Sequence, residues 1–238
     1  MKKLSLLFTK DGLQWHISKG KTVLEEAFYF VPEETSPHLV EEKLDDVLKF
    51  DDYKEIEVIS ALNHFSLTPD SFAEHELGYK LISYNAPVDE ANEELMLSEN
   101  KKFAVQFYYT FPKHFYQKIK AKKIPTKFNF SGEKFLNALT VKNHKEIHIN
   151  LYHHQVEFFA FENKKVVLYN NLDADSEVDF LYFIMFSLSK INFGTAETHF
   201  HIYGETHENE TFISELRKFV KNIKVHFDNA PKKNFVLS

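Results

Sequence analysis

Leu4, Leu6 and Phe8 alternate with Ser5 and Leu7 at the start of the chain. The same period of two returns at Leu13, Trp15 and Ile17, spaced by Gln14, His16 and Ser18. Successive strand side chains point to opposite faces, so each stretch reads as a strand with one face on a core. Asp11-Gly12 and Lys19-Gly20 read as hairpin turns, because glycine tolerates positive φ. A third strand is predicted from about Thr22 to Phe30, with Pro32 ending the meander. Ser36-Pro37 then reads as an N-cap followed by proline at the first helical position. Leu39, Val40, Leu44, Val47 and Leu48 recur at helical spacing, and a short strand follows from Glu55 to Ser60.

The second half repeats this order. Glu146 to Leu151 alternates, His153-His154 occupies a turn, and Val156 to Phe161 reads as a strand. Asn163-Lys164 turns the chain into Val166 to Tyr169, and an apolar helix is predicted from about Ser176 to Lys190. A strand from His199 to Tyr203 ends at Gly204. Adding 143 to a position in the first half gives its counterpart: Leu4 goes to Ile147, Leu6 to Ile149, Trp15 to Phe158, Lys21 to Lys164 and Val58 to His201. Three strands, a helix and a fourth strand kept in one phase point to an internal duplication.

Between these passages, Ser71 to Leu81 reads as helical and Asn85 to Lys101 as an acidic loop with a helical turn near Ala91 to Met96. Lys102 to Thr110 alternates as a strand, Pro112 opens a helix to about Lys120, and Thr126 to Phe130 is a short strand before a helix from Ser131 to Leu139. After Gly204 a helix is predicted from Glu208 to Val220 and a last strand from Ile223 to Phe227. The expected division is a first unit over 1–143, a second over 144–228, and a tail over 229–238.

Composition narrows the function classes. The chain has 238 residues, 43% hydrophobic and 27% charged, enough for a sizeable core. It has no cysteine, which excludes disulfides, thiolate zinc sites and cysteine nucleophiles. Phenylalanine is abundant, with 25 Phe against one Trp, and is expected to fill core positions. Net charge is −6, so the lysines between Lys113 and Lys127 read as a solvated helix face and not as a nucleic-acid surface. The apolar opening stops at Thr9-Lys10, short of a signal peptide, and no stretch approaches a membrane span. A cytoplasmic location is expected.

Three antiparallel strands, a helix, a parallel strand, then helix and strand in alternation is the order of a ribonuclease H-like unit. On Leu4-Ser5-Leu6 through Leu13-Gln14-Trp15, Phe103 to Pro112, and Ile147 through Tyr203, the chain resembles the DUF3822 family, Bacteroidetes proteins of unknown function. It thereby resembles the actin-like ATPase superfamily. The resemblance implies an α/β chain with an actin-like ATPase fold, built of tandem duplicated ribonuclease H-like (βββαβαβ) units with mixed sheets and a cleft between them. It implies no established activity.

In that superfamily an Asp near the end of the first strand holds the metal, and glycines let backbone amides approach the phosphates. Here Leu6 and Phe8 stand where that Asp falls, and the second hairpin, Leu151-Tyr152-His153-His154-Gln155, has neither Asp nor Gly. Asp11 belongs to turn chemistry, and Gly204 stands without the paired glycine of the adenosine segment. ATP hydrolysis is therefore not expected.

His199 and His201 share a strand face, and His153-His154 lie in a neighbouring turn. No carboxylate joins them at ligand spacing, so they are expected to be half-buried strand histidines. The acids Asp89, Glu90, Glu93 and Glu94 read as solvated surface. No Walker loop, dinucleotide fingerprint or Ser/His/Asp signature occurs. No catalytic, cofactor-binding or metal residue and no cofactor is assigned. The expected function is a non-catalytic scaffold or adaptor with a protein partner, no nucleic acid and no membrane span, homo-oligomerisation being left open. The alternative is a degenerate nucleotide- or metal-binding enzyme.

Overall fold

A computed structural model describes residues 2–30, 38–50, 52–72, 75–152, 154–206 and 209–226. The Ser36-Pro37 helix start, Pro32, His153, Glu208, Phe227 and the tail over 229–238 lie outside the described residues.

The chain runs β1 (Lys2–Thr9), β2 (Gly12–Lys19), β3 (Thr22–Phe30), α1 (His38–Leu48), β4 (Tyr53–Ser60), β5 (Phe65–Pro69), α2 (Gly78–Ser83), β6 (Glu93–Asn100), β7 (Val105–Pro112), α3 (Lys113–Lys120), β8 (Thr126–Phe130) and α4 (Ser131–Ala138). It continues β9 (Lys145–Leu151), β10 (Gln155–Glu162), β11 (Lys165–Asp173), α5 (Glu177–Lys190), β12 (His199–Gly204), α6 (Glu210–Leu216) and β13 (Asn222–Val225). The chain divides into two compact units, and the division falls between Lys134 and Phe135, inside α4.

The first unit holds a five-stranded sheet in the order β3-β2-β1-β4-β8. β1 is antiparallel to β2 and parallel to β4, and β4 is parallel to β8. Leu4, Leu6 and Phe8 on one face of β1 pack with Ile56 and Val58 of β4, Leu44 and Val47 of α1, and Phe115 and Ile119 of α3. The alternation read from the sequence is this core face.

The second unit holds a five-stranded sheet of the same order, β11-β10-β9-β12-β13. Ile147, Ile149 and Leu151 of β9 share a core with Phe200 and Ile202 of β12, Phe180, Ile184 and Leu188 of α5, and Phe212 and Leu216 of α6. Ser176 caps α5, its hydroxyl accepting from the Asp179 N–H at 3.2 Å.

The two meanders match pair by pair at a spacing of 143. Leu4 faces Ile17 where Ile147 faces Ala160, and Trp15 faces Ala27 where Phe158 faces Asn170. Each sheet carries a register shift at the same place, between Ile17 and Ser18 and between Ala160 and Phe161. The fourth strand corrects the spacing. Leu6 pairs with Val58, but Ile149 pairs with Ile202, so Val58 corresponds to Ile202 and not to His201. Side-chain parity requires this, since Val58 and Ile202 are both core residues.

The first hairpin turn is one residue earlier than expected: Thr9 pairs with Gly12, leaving Lys10-Asp11 at the tip. The second-unit turn at Asn163-Lys164 is as expected, with both residues at positive φ (50° and 65°).

The largest departure is in the middle of the chain. Asn85 to Lys101 is not a loop: β6 pairs with β7, and β5 joins them in a three-stranded antiparallel sheet ordered β5-β7-β6. Of the helix expected over Ser71 to Leu81, the described residues show a single turn at His75–Leu77 and α2. Phe130 lies within about 5.2–5.3 Å of the rings of Phe65, Phe107 and Tyr109, so phenylalanines fill this core as expected.

No described helix is long and apolar enough to cross a membrane. The lysine-rich α3 buries Phe115 and Ile119, while Lys118 pairs with Glu41 at 2.7 Å and Asp45 at 2.8 Å.

Candidate functional site

The positions compared with an ATPase hairpin are filled by core. Leu6 is fully buried, and the Phe8 ring lies 5.1 Å from those of Phe111 and Phe115. In the second unit Leu151 is fully buried, and the Tyr152 hydroxyl donates to Glu157. Gly204 has φ +81°, and a Cβ placed there would lie 2.3 Å from the Leu151 carbonyl oxygen and 2.4 Å from Asn150 Oδ1. Its missing side chain therefore serves the close approach of β12 to β9. A pocket of about 120 Å³ beside Trp15, Glu25 and Phe50 is well below the roughly 300–1,000 Å³ of small-molecule sites.

Polar chemistry concentrates on the other face of the second sheet. The polar residues of β9 (Glu146, His148 and Asn150) are 0–1% exposed, so this strand is buried on both faces. Phe135 of α4 packs on that side against Phe159 and Tyr203. Buried polar groups need partners. Glu157 accepts from Asn150 Nδ2 at 2.7 Å and from the hydroxyls of Tyr152 and Tyr169.

Beside this network, Glu146, His148 and His201 each offer one donor atom within 4.8 Å of the others. His148 pairs with His201 across β9 and β12, and their rings stack at 4.6 Å with 9° between planes. The His148 Nε2–H donates to Glu146 Oε2 at 2.7 Å. Glu146 Oε1 accepts from the N–H groups of Lys142 (2.9 Å) and Asn143 (2.5 Å) and from Asn143 Nδ2 (2.6 Å). Tyr203 Oη lies 3.2 Å from His148 Nδ1, and His226 Nε2 lies 3.1 Å from His201 Nδ1. His201 Nε2 is buried and has no hydrogen-bond partner among the described residues.

Burial pushes the Glu146 carboxyl up, but the His148 hydrogen bond and the Asn143 and Lys142 amides outweigh it and hold it at about 2. Burial first, and His148 second, push His201 down to about 4. At neutral pH the carboxylate is charged and the His201 imidazole is neutral.

The expectation that no carboxylate joins the strand histidines is thus corrected: Glu146 does. His199 stands outside the group, and His153 lies outside the described residues. The alternation on β9 hides Glu146 and His148, because it reads as one core face and one solvated face. The available signal was the spacing Glu146-x-His148-x-Asn150, three polar residues on one side of a strand.

The first sheet carries a related cluster in which the acid stands on the fourth strand instead of the first. Lys3 and Ser5 of β1 occupy the places of Glu146 and His148, and Glu57 of β4 that of His201. Glu57 accepts from Lys3 at 2.6 Å, Lys134 at 2.9 Å and Asn129 at 3.1 Å. The acids of the middle region are locally engaged: Asp89 accepts from the Ala91 N–H and Asn92 Nδ2, and Glu93 lies 2.8 Å from His64.

Two mixed sheets of this order place the protein among those with an actin-like ATPase fold. A Bacteroides thetaiotaomicron protein with that fold and unknown function is similar at TM-score 0.81 and 20% identity, covering 94% of this chain and 90% of its own. PilM in the PilM–PilN type IV pilus biogenesis complex is similar at TM-score 0.62 and 10% identity, covering 95% and 88%. The cytoplasmic domain of EpsL, an inner-membrane component of the Vibrio cholerae type II secretion system, follows at TM-score 0.50 and 8% identity, covering 98% and 87%. No curated protein matches the chain. The chain belongs to the DUF3822 family of proteins of unknown function, which matches residues 1–223.

Proposed function

We propose that this protein is a non-catalytic member of the actin-like class that acts by protein–protein contact, as a scaffold or adaptor in the bacterial cytosol. One observation carries the reading: the places where an ATPase of this fold needs a metal-holding acid and open glycines are occupied by Leu6, Phe8, Leu151 and a closed Gly204. Mg²⁺ at a triphosphate requires oxygen ligands, and these side chains supply none.

A surface suited to contact supports it. Val178, Tyr182 and Phe186 of α5 recur every fourth residue and are 73%, 60% and 47% exposed. Four-residue spacing lines them on one helix face, and the Tyr182 and Phe186 rings stack at 5.8 Å. Exposed apolar stripes of this kind mark protein contact. We read the partner as another protein, and PilM–PilN is a precedent for this fold within a protein complex. The repeated register and bulge, offset by 143 residues, also support descent from one duplicated unit.

Pure protein is expected to give no Mg-dependent ATP turnover and no thermal shift with ATP and Mg²⁺, since a ligand that favours the folded state raises its stability by mass action. A photo-crosslinking residue at Tyr182 is expected to give a discrete protein adduct in host cytosol, and one at Tyr84, which is 72% exposed, none. Turnover, or equal labelling at both positions, would sink the reading.

A further inference from the structure

We propose that Glu146, His148 and His201 form a binding site for one divalent transition-metal ion, with Zn²⁺ the fitting case. This inference is independent of the contact surface on α5. Two imidazoles and a carboxylate without thiolate are a borderline donor set that suits Zn²⁺, and a His₂Glu set leaves a fourth position for water.

The argument rests on which atoms are already held. In metal sites the non-ligating atom of each ligand is fixed by an outer partner. Glu146 Oε1 is fixed by Lys142 and Asn143, His148 Nδ1 by Tyr203, and His201 Nδ1 by His226. What remains is Glu146 Oε2, His148 Nε2 and His201 Nε2. The first two touch each other at 2.7 Å, and the third is buried without a partner among the described residues. An orphaned buried imidazole nitrogen costs free energy unless something accepts its lone pair, and a cation does.

Geometry requires the stacked His148 and His201 rings to turn out of parallel, so that both ring planes meet at the ion. Donors on one tetrahedral Zn²⁺ lie about 3.4 Å apart, given Zn–N near 2.0–2.1 Å. The present donors lie within 4.8 Å, so the half-buried His201 ring must tilt inward. His148 must carry its proton on Nδ1 and donate it to Tyr203. The His148–Glu146 hydrogen bond is then exchanged for two metal bonds. His226 is a positioning residue, since it reaches the metal only through His201.

The test uses the full chain, stripped of metal by chelator and titrated with Co²⁺ followed visibly, then with Zn²⁺ in competition. The expected result is one saturable Co²⁺ site per chain, displaced by Zn²⁺. His201→Ala is expected to weaken it at least 100-fold and His226→Ala about 10-fold. His199→Ala, on the same strand but outside the group, should leave it unchanged. Glu146 is deeply buried and its removal endangers folding, so His201→Ala is the deciding variant. His201→Ala gives up the His226 contact and the stacking on His148, so without metal it should still unfold in one cooperative transition, and it should lose the rise that Zn²⁺ gives wild type. Absence of a saturable site in wild type, or a Co²⁺ affinity unmoved by His201→Ala, overturns the proposal.

Discussion

Gly204→Ala is expected to lower the melting temperature by about 10 °C. Gly204 has φ +81°, in the region where an alanine costs roughly 1–2 kcal/mol. The new Cβ would also stand 2.3 Å from the carbonyl oxygen and 2.9 Å from the nitrogen of Leu151. Those are backbone atoms in the first strand of the second sheet, so no rotamer change relieves the contact. The same carbonyl accepts from the Glu205 N–H at 2.9 Å, a bond that separation of the strands would lengthen. Together these give about 3–4 kcal/mol, and a chain of this size loses roughly 2–4 °C per kcal/mol. Thermal unfolding followed by circular dichroism measures it. A loss under about 2 °C would mean that the β12 end does not close on β9.

Fold and site differ in how far they can be read from sequence. Leu4, Leu6 and Phe8 against Ile147, Ile149 and Leu151 reveal the repeat because one face of each strand meets a single core. Strand β6 was not legible for the opposite reason. Its apolar residues are consecutive, with Leu95 against Gly78 and Met96 against the first-unit core, so both faces are covered and no alternation survives. Acids before it, Asp89 to Glu94, resemble surface, although Asp89 and Glu93 anchor the turn that leads into the strand.

The candidate site was half legible. His201 was evident as a strand histidine, but its partner acid lies 55 residues earlier on the neighbouring strand, and the frame of 143 set His201 opposite the wrong residue. Spacing along one segment cannot reveal ligands that a parallel pairing brings together. The one-residue longer connection before β12 shows only in the register. The same register shows that the buried acid sits on the first strand of the second sheet and on the fourth strand of the first.

Glu57→Gln is expected to destabilise the protein by about 3 kcal/mol at pH 7 and by almost nothing at pH 2. Burial pushes this carboxyl up, but its hydrogen bonds and charge contacts with Lys134 and Lys3 outweigh burial and hold it at about 2, against an ordinary 4.5. The folded state therefore binds fewer protons than the unfolded state between those values, and stability rises with pH across that window. The contribution is complete above about pH 4.5 and disappears as pH falls through 2. A shift of this size corresponds to roughly 3 kcal/mol at 1.36 kcal/mol per unit. The lysines remain charged throughout, so the variant strands two cations around a neutral amide at every pH, whereas wild type reaches that condition only in acid. Urea unfolding of both proteins from pH 7 to pH 2 measures the difference. It should close steadily below pH 4.5. A gap that stays constant down to pH 2 would mean that Glu57 acts through shape and not through charge, and that Lys3 and Lys134 do not hold it as an anion.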